Sequence, residues 1–261
     1  MYASERHTAI EQQLERDGRV AVVDLARDFD VTTETIRRDL ALLEENSRLR
    51  RVHGGAVPTA RASTLETSID ERRLVRHHEK SAIASRALDA VSPNFRGSIF
   101  LDAGSTSAAL AVQLPAHLRT SQAHAELVTH SIPVAYELGQ RPDPHVTIIG
   151  GRVRGVTAAA VGSATVEAIS GLRPDLAFIG ANGLSADFGL STPDPDEASV
   201  KRAIVKAARL VVLLADSSKL DQDSLVRFAH LSEIDVLVTD EAPGVALAAA
   251  LADAGVDVWL A

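Results

Sequence analysis

Cysteine is absent from the chain, and its absence excludes disulfides, thiolate metal sites and a cysteine nucleophile. No stretch approaches the run of about 18 uncharged apolar residues that a membrane-spanning helix needs. The first residues also lack the apolar core of a signal peptide, so we expect a cytoplasmic protein with no membrane partner. With 46% hydrophobic and 24% charged residues in a length of 261, the composition is that of a folded chain with room for a small domain and a larger one.

Basic residues are outnumbered by acidic ones. The net charge is -8, and residues 1–60 contain nine arginines, no lysine and eleven aspartates and glutamates. An acidic body is repelled by duplex DNA, so the placement of the arginines decides whether DNA can bind. They are concentrated in two short segments that contain Arg37, Arg38, Arg48, Arg50, Arg51 and the neighbouring His53.

The first 60 residues have the pattern of a winged helix-turn-helix. Helices are predicted over 4–17, Val22–Phe29 and Thr33–Glu45, because apolar residues recur there at helical spacing. Arginines and then Gly54 and Gly55 follow the third helix. These glycines indicate the tip or return of a small β-hairpin.

The third helix has the features of a DNA-recognition helix. Ile36, Leu40 and Leu43 form its apolar stripe, Arg38 lies opposite that stripe and Arg37 lies on its flank. A solvated face with an ordinary arginine pair is the alternative interpretation. The preceding turn and the basic hairpin that follows favour insertion into a major groove with support from the backbone.

The runs TIRRDLALLEE and LRRVHGGAV resemble the winged helix-turn-helix of the DeoR family of bacterial regulators, which has an almost identical recognition helix and wing. The resemblance implies DNA contacts from both elements, and Thr32 or Thr33 can also cap the helix. The candidate DNA contacts are Thr32, Thr33, Thr35, Arg37, Arg38, Arg51 and His53. Asp39 is expected to orient an arginine or to cap within the domain, because a carboxylate beside phosphate is unfavourable.

From Ser98 onward, short apolar runs alternate with segments long enough for a helix. The runs are SIFLDAG, ELVTHS, HVTIIGG, DLAFIGANG, RLVVLLADSSK, DVLVTD and VDVWL. They do not alternate between apolar and polar residues, which indicates strands buried on both faces of a mainly parallel sheet. The expected fold class of this part is α/β, and in such sheets ligands bind at the carboxyl ends of the strands.

The run LDAGSTSAALAVQL predicts a strand, a loop over Gly104–Ser107 and a helix. Glycine lets the backbone approach an anion, hydroxyls donate, and the helix N-terminus supplies free N–H groups. A plain strand-to-helix turn with serine caps is the alternative. Four further strand-end segments would lie at the same edge of a parallel sheet, namely 129–131, 150–152, 180–183 and 216–219.

These loops resemble the C-terminal domain of the DeoR family, which is similar in fold to ribose-5-phosphate isomerase and glucosamine-6-phosphate deaminase. The resemblance, from about Glu5 to Asp240, implies an effector that is a phosphorylated sugar or related metabolite. Its phosphate is expected at Gly104, Ser105, Thr106 and Ser107, with Arg152 or Lys219 as charge partners. The other candidate effector residues are Asp102, Thr129, His130, Ser131, Gly151, Asn182, Glu197 and Lys201. Many relatives have asparagine at the position of His130 and aspartate at that of Asn182, so hydroxyl recognition can differ there.

The segment STPDPDEASVKRA has two interpretations. In the structural one, Asp194 caps a helix that begins at Pro195, and Glu197 reaches back to the N–H of the cap. In the functional one, Glu197 and Lys201 lie four residues apart on one face, at the effector pocket. There they resemble the EAxVKR segment of the family.

These patterns predict a DNA-binding domain over 1–60, a linker and connecting helix over 61–92 and a Rossmann-like α/β sensor domain over 93–261. A helix from Leu65 to Val91 is expected to couple the two domains and to pack on one of them. The predicted function is a repressor of a carbohydrate utilisation operon, released from double-stranded operator DNA by a phosphorylated sugar. A palindromic or repeated operator requires a homodimer or homotetramer, and no cofactor or metal is expected.

Two other functions stay open. A sugar-phosphate isomerase or deaminase on the same fold needs a positioned base, which Asp102, Glu197 or Asp216 can supply. The amide of Asn182 cannot act as a base, which weakens this alternative. A protein–protein module that uses the winged helix without DNA is compatible with the fold, but the placement of the arginines goes against it.

Overall fold

The computed structural model describes residues 3–18, 20–45, 48–52, 54–58, 66–140 and 144–261. Contacts divide the chain into two compact units, 1–65 and 66–261. Each unit has hydrophobic core of its own. None of the helices in the described ranges is long and apolar enough to cross a membrane.

The first unit is built from short helices and a small sheet. Its described elements are α1 (Ala3–Asp17), β1 (Val20–Ala21), α2 (Val22–Asp28), α3 (Thr33–Glu45), β2 (Leu49–Val52) and β3 (Gly55–Pro58). The three predicted helices are confirmed, with α2 ending one residue earlier than predicted. Their apolar stripes meet in one core, where Ile10, Leu25, Ile36 and Leu40 are almost completely buried.

The wing is an antiparallel sheet with β3 between β1 and β2. Gly54, in the turn between β2 and β3, has a φ of +80°, which favours glycine. A Cβ at Gly55 would lie 1.9 Å from the carbonyl oxygen of Val20. Both glycines are therefore required by the backbone, and the predicted hairpin is confirmed.

The second unit alternates helices and strands. Its described elements are α4 (Ile69–Leu74), α5 (His77–Ala87), β4 (Arg96–Leu101), α6 (Ser105–Thr120), β5 (His124–Thr129), α7 (Ile132–Gly139), β6 (Val146–Ile148), β7 (Arg152–Arg154), β8 (Ala159–Val161), α8 (Ser163–Ser170), β9 (Leu176–Gly180), β10 (Gly183–Ser185), β11 (Gly189–Thr192), α9 (Pro195–Ala207), β12 (Val211–Leu214), β13 (Val226–Ala229), β14 (Val236–Thr239), α10 (Val245–Asp253) and β15 (Asp257–Leu260).

The seven apolar runs predicted as strands form one seven-stranded parallel sheet, in the order β15-β14-β12-β9-β4-β5-β6. Successive residues of a strand enter opposite layers of core. Phe100 and Ile179 lie in the layer that contains α9 and α10, whereas Ile99 and Phe178 lie in the layer that contains α5 and α6. Because both faces are covered, the strands lack polar alternation, and the α/β prediction is confirmed.

The segment expected to be one helix from Leu65 to Val91 forms two helices within the second unit. A capping box between Ser68 and Glu71 begins α4, and Arg76, in the left-handed region at φ +52°, separates α4 from α5. The buried ammonium of Lys80 then donates to the carbonyls of Arg72 and Val75, at 2.6 Å each. The expectation that Leu74 belongs to a packed face is wrong, since Leu74 is 83% exposed.

Candidate effector site and DNA-reading surface

Asp102 is the centre of a buried polar cluster at the carboxyl edge of the large sheet. The residue follows β4 and is completely buried. Its carboxylate accepts from the ammonium of Lys201 on α9 at 2.5 Å and from the backbone N–H of Gly180, at the end of β9, at 2.9 Å. Nε2 of His130, which follows β5, lies 3.0 Å from the other carboxylate oxygen. The structure therefore brings together candidate residues from three strand ends and one helix.

The charge of Asp102 is stabilised by its neighbours. Burial opposes ionisation, but the positive charge of Lys201 and the hydrogen bond from His130 outweigh it and lower the pKa of Asp102 to about 2. The ammonium of Lys201 also donates to the carbonyl of Gly180 at 2.9 Å. Asp102 is thus a fixed, ionised acceptor at neutral pH.

The two ring nitrogens of His130 face different kinds of hydrogen-bonding groups. Nδ1 lies 2.8 Å from the carbonyl oxygen of Ala160 and must donate to it, because a carbonyl only accepts. Nε2 faces both Asp102 and the backbone N–H of Ala103, the latter at 3.2 Å. With Nδ1 protonated, Nε2 accepts from the N–H of Ala103 when the ring is neutral and donates to the carboxylate only when the ring is an imidazolium, so the ring has two hydrogen-bonding arrangements at this edge.

The loop after Asp102 has unused donors. Gly104 has a φ of +148° and caps α6 without a side-chain hydrogen bond. The first N–H groups of a helix lack partners within it. The hydroxyl of Ser107 is buried and finds no hydrogen-bond partner among the described residues. Together with the half-buried Ser105 and the buried Thr106, these donors can bind an anion.

Several candidate effector residues have structural partners. Thr129 donates to the carbonyl of Leu101 at 2.6 Å, and the hydroxyl of Ser131 accepts from the N–H of Val134 as the cap of α7. The side-chain oxygen of Asn182 accepts from Thr192 at 3.0 Å. A Cβ at Gly151 would lie 1.9 Å from the hydroxyl of Thr165, so the glycine is required by packing.

The two expected phosphate partners have no bond to the Asp102 cluster among the described residues. Arg152 is exposed and pairs with Asp196, and Lys219 ends the short helical turn Ser217–Lys219 that follows β12. Within the described ranges, no hydrogen bond or ion pair joins either cation to Asp102 or to the start of α6.

At the start of α9, the predicted cap by Asp194 is present, but the predicted contact of Glu197 with that cap is not. Asp194 caps α9 by accepting from the N–H of Glu197 at 3.0 Å, as predicted. The carboxylate of Glu197 does not reach back to the cap. It accepts from Thr157 and, at 3.1 Å, from Arg154, because these donors offer stronger charge-assisted hydrogen bonds in a buried setting.

On the first unit, the threonines and arginines of α3 differ in what they contact. Thr32 caps the helix by accepting from the N–H of Thr35 at 3.2 Å, and the two hydroxyls lie 2.9 Å apart. Thr33 is exposed. Arg37 lies 3.6 Å from Glu34, whereas Arg38 is exposed and has no ion-pair partner among the described residues.

Three further residues of the first unit have a role predicted from the sequence, namely Arg51, His53 and Asp39. Arg51 pairs with Glu44 at 2.7 Å, and His53 lies outside the described residues. Asp39 is buried and accepts from Arg6 at 2.6 and 3.1 Å. The prediction that Asp39 acts within the domain is confirmed, with an arginine from α1 as its partner.

Comparison with known proteins identifies the chain. Residues 6–61 match the model of the DeoR-like helix-turn-helix domain, and residues 75–241 match that of the DeoR C-terminal sensor domain. The chain belongs to the DeoR family. It is 31% identical over 253 residues to the glycerol-3-phosphate regulon repressor of Escherichia coli, covering 97% of each chain. It is 36% identical over 238 residues to the HTH-type transcriptional regulator GlpR of Haloferax volcanii, covering 91% of this chain and 89% of that one.

Solved structures also match part of the chain. Ribose 5-phosphate isomerase A from Methanocaldococcus jannaschii aligns with a TM-score of 0.40 and 19% identity, over 54% of this chain and 53% of that one. Membership of the DeoR family makes the chain a DNA-binding transcriptional regulator. It confirms the prediction of a regulator and goes against the isomerase or deaminase alternative.

The sequence interpretation missed several buried charges of this DeoR-family sensor unit. Arg154 contacts Glu66 at 2.6 Å as well as Glu197. Arg76 contacts Asp240 at 2.5 Å and the hydroxyl of Ser217 at 2.8 Å. These side chains lie in segments read as a linker or as loops. No periodicity or motif distinguishes these arginines from exposed ones in the sequence, so the pairs could not be identified from it.

Proposed function

We propose that this DeoR-family regulator is a repressor that binds operator DNA through the first unit and is released when a phosphorylated sugar or related metabolite binds the second. The observation that carries the proposal is the Asp102 cluster beside the start of α6. There, an ionised carboxylate lies next to a helix N-terminus and the buried hydroxyl of Ser107, which has no hydrogen-bond partner in the described part of the chain. The protein would act in the cytoplasm as a homo-oligomer.

The chemistry of this edge suits a ligand with two kinds of groups. Free N–H groups and hydroxyls at Gly104–Ser107 favour an anion such as a phosphoryl group. A carboxylate favours hydroxyl donors, and Asp102 can accept from one when Nε2 of His130 accepts from Ala103 instead. A small phosphorylated polyol or sugar has both. The relative from Escherichia coli is named for glycerol 3-phosphate, which makes this compound the first to test.

DNA recognition would come from the exposed face of α3 and from the wing. Thr33 and Arg38 are exposed on α3, and Arg51 extends from β2. Release by a ligand requires unequal affinity of the ligand for the DNA-competent and DNA-incompetent states. Operator affinity and ligand affinity must therefore change together.

A thermal-shift screen tests the effector. The panel contains the phosphorylated forms of glycerol, fructose, tagatose and deoxyribose, each beside its unphosphorylated counterpart. A ligand at 100 times its dissociation constant adds about 2.7 kcal/mol of stability. We expect at least one phosphorylated compound to raise the melting temperature and its counterpart to have no effect. Equal shifts within every pair would contradict a phosphate site.

A gel-shift titration with DNA from upstream of the operon tests the repressor. Replacing Arg38→Gln is expected to weaken operator binding by about 10- to 100-fold, the loss typical of a base contact. Arg16→Gln, on α1 and paired with Asp17, is the matched control and should change binding little. A wild-type protein with no preferred fragment and no salt dependence would rule the function out.

A further inference from the structure

The helix α4 is held at both of its ends by segments at the carboxyl edge of the large sheet. At its start, the N–H of Ile69 donates at 2.8 Å to the carbonyl of Val156, in the turn between β7 and β8. That hairpin is hydrogen-bonded to the end of β5, where the N–H of Ala160 donates to the carbonyl of His130 at 2.9 Å. The first end of α4 is therefore fixed beside β5.

The other end of α4 is fixed several strands away. Just beyond it, the guanidinium of Arg76 contacts Ser217, which follows β12, and Asp240, which follows β14. Three inter-strand spacings separate β5 from β12, a distance of about 14 Å. Six helical residues cover about 9 Å, and the side chain of Arg76 covers the rest. The helix thus passes over the ends of β9 and β4, where Asp102 lies.

Arg72, in the middle of α4, has donors with nothing to bind. Its Nε and Nη2 are buried and find no hydrogen-bond partner among the described residues. Nη1 lies 3.1 Å from Glu66, a contact without hydrogen-bond geometry. Leaving buried donors without partners costs stability. Here both donors belong to the cationic side chain of Arg72, which is only 18% exposed. Such a group is expected where a ligand completes the site.

A second unpaired donor lies on the element that packs against α4. That element is α6, whose first turn contains Ser107, 1% exposed and with no hydrogen-bond partner in the described part of the chain. An arginine fork and a helix N-terminus are the two groups that bind a phosphoryl oxygen most strongly in proteins. In the described part of the chain, Arg152 and Lys219, the cations expected from the sequence, have no ion pair or hydrogen bond with the start of α6.

We propose that Arg72 is the cation that binds the anionic group of the effector, so that the ligand is held between α6 and α4. This inference rests on the proposed function and adds its means of regulation. Glu66, which contacts both Arg72 and Arg154, is the residue at which the second unit begins. A ligand that binds Arg72 therefore changes the element at which the chain enters the sensor unit.

The affinity of the full chain for inorganic phosphate and for glycerol 3-phosphate, measured by calorimetric titration, tests the proposal. Arg72→Gln is expected to weaken both at least about tenfold, the loss of a charge-assisted hydrogen bond. Arg73→Gln, on the exposed side of the same helix, is the matched control and should stay within about twofold. Arg72→Lys, which keeps the charge but loses the fork, should fall between them.

The outcomes separate the two claims. If the wild-type protein binds neither probe, the role proposed for Arg72 fails, and the proposed function fails with it only if every compound of the thermal-shift panel is also without effect. If the wild type binds and Arg72→Gln binds equally well, only the role of Arg72 is overturned. Should Arg72→Gln not fold, hydrogen exchange of the wild type decides. Phosphate is expected to slow exchange at Ile69–Leu74, and unchanged exchange in a phosphate-bound protein would overturn the proposal.

Discussion

Each unit of this regulator has a buried aspartate held by basic side chains, Asp39 in the first and Asp102 in the second, and the two sites differ in whether the donors beside them lack a partner among the described residues. Asp39, in the first unit, is held by Arg6 and His7, both from α1. Asp102, in the second unit, is held by groups from three elements and lies beside donors that no described residue uses. The first site therefore satisfies its own donors, whereas the second unit has buried donors that the described residues leave unpaired.

The comparison shows how a buried charge can serve structure or binding. A buried ion pair is a weak source of stability by itself, because desolvation offsets most of its Coulombic energy. Its value at Asp39 is to fix α3 against α1 in one orientation. At Asp102 the same kind of pairing fixes an ionised carboxylate at the carboxyl edge of the sheet, beside the start of α6. Substitutions that break the two sites one at a time should therefore lower the free energy of unfolding by different amounts.

The largest effect is expected from Lys201→Met. The substitution keeps the length of the side chain but leaves the carboxylate of Asp102 buried without its strongest partner, at a cost of about 3–5 kcal/mol. Chemical unfolding, followed by a signal from the second unit, measures the loss. Lys206→Met, exposed on the same helix, is the control. Equal losses from both variants would show that the ion pair between Lys201 and Asp102 adds no stability.

A smaller loss is expected from Asp39→Ala. It leaves Arg6 buried without its carboxylate, in a unit where His7 and the ends of α1 can relax toward solvent, and we expect about 2–3 kcal/mol. The unfolding of the first unit should shift while that of the second stays in place. Asp28→Ala, an exposed residue beside Arg27, is the control. A shift of both units together would contradict their separate cores.

The pH dependence of unfolding is a further way to compare Asp102 with Asp39. Because the pKa of Asp102 is about 2 in the folded protein, below its ordinary value, its contribution is complete above about pH 4 and is lost as the pH falls through 2. The shift corresponds to about 2 kcal/mol. Asp102→Asn should remove this part of the acid sensitivity of the second unit. An unchanged acid profile in that variant would mean that other carboxylates dominate.

The first unit should lose stability in acid with the same sign. Burial opposes ionisation of Asp39, but hydrogen bonds from Arg6 and His7 outweigh it and hold the pKa of Asp39 below its ordinary value. The contribution of Asp39 is therefore also lost as the pH falls through its folded pKa. Separate signals from the two units distinguish the two losses.

Local pattern predicted the frame of both units. Helical spacing identified α1, α2 and α3, and unbroken apolar runs identified the seven strands of the large sheet, because both depend on burial that repeats along the chain. Parallel strands also placed Asp102, His130 and Gly180 at one edge, where they meet. The ammonium of Lys201 contacts both Asp102 and Gly180. Its place at this edge was expected only from the resemblance of EASVKR to a family segment.

Contacts between distant segments could not be predicted in the same way. The pairs Arg6–Asp39, Arg154–Glu66 and Arg76–Asp240 join residues 33, 88 and 164 positions apart, and no periodicity encodes them. Likewise, the break between α4 and α5 depends on a left-handed Arg76 and on the ammonium of Lys80 capping α4. Neither residue has a propensity for that role, so the sequence pattern alone favoured one continuous helix.

The smallest effects are expected at two helix caps, one in each unit, which were both predicted as ligand contacts. Thr32→Ala removes the acceptor for the N–H of Thr35 and should cost about 1 kcal/mol, and Thr32→Ser should restore most of it. Ser131→Ala should cost less, because the bond of Ser131 with Val134 is longer, 3.4 Å against 3.2 Å. Thermal unfolding measures both. Since a cap acts on the helix alone, neither substitution should change ligand affinity once the protein is fully folded. A loss of operator binding by Thr32→Ala at a temperature where the unit is folded would instead assign that hydroxyl to the DNA.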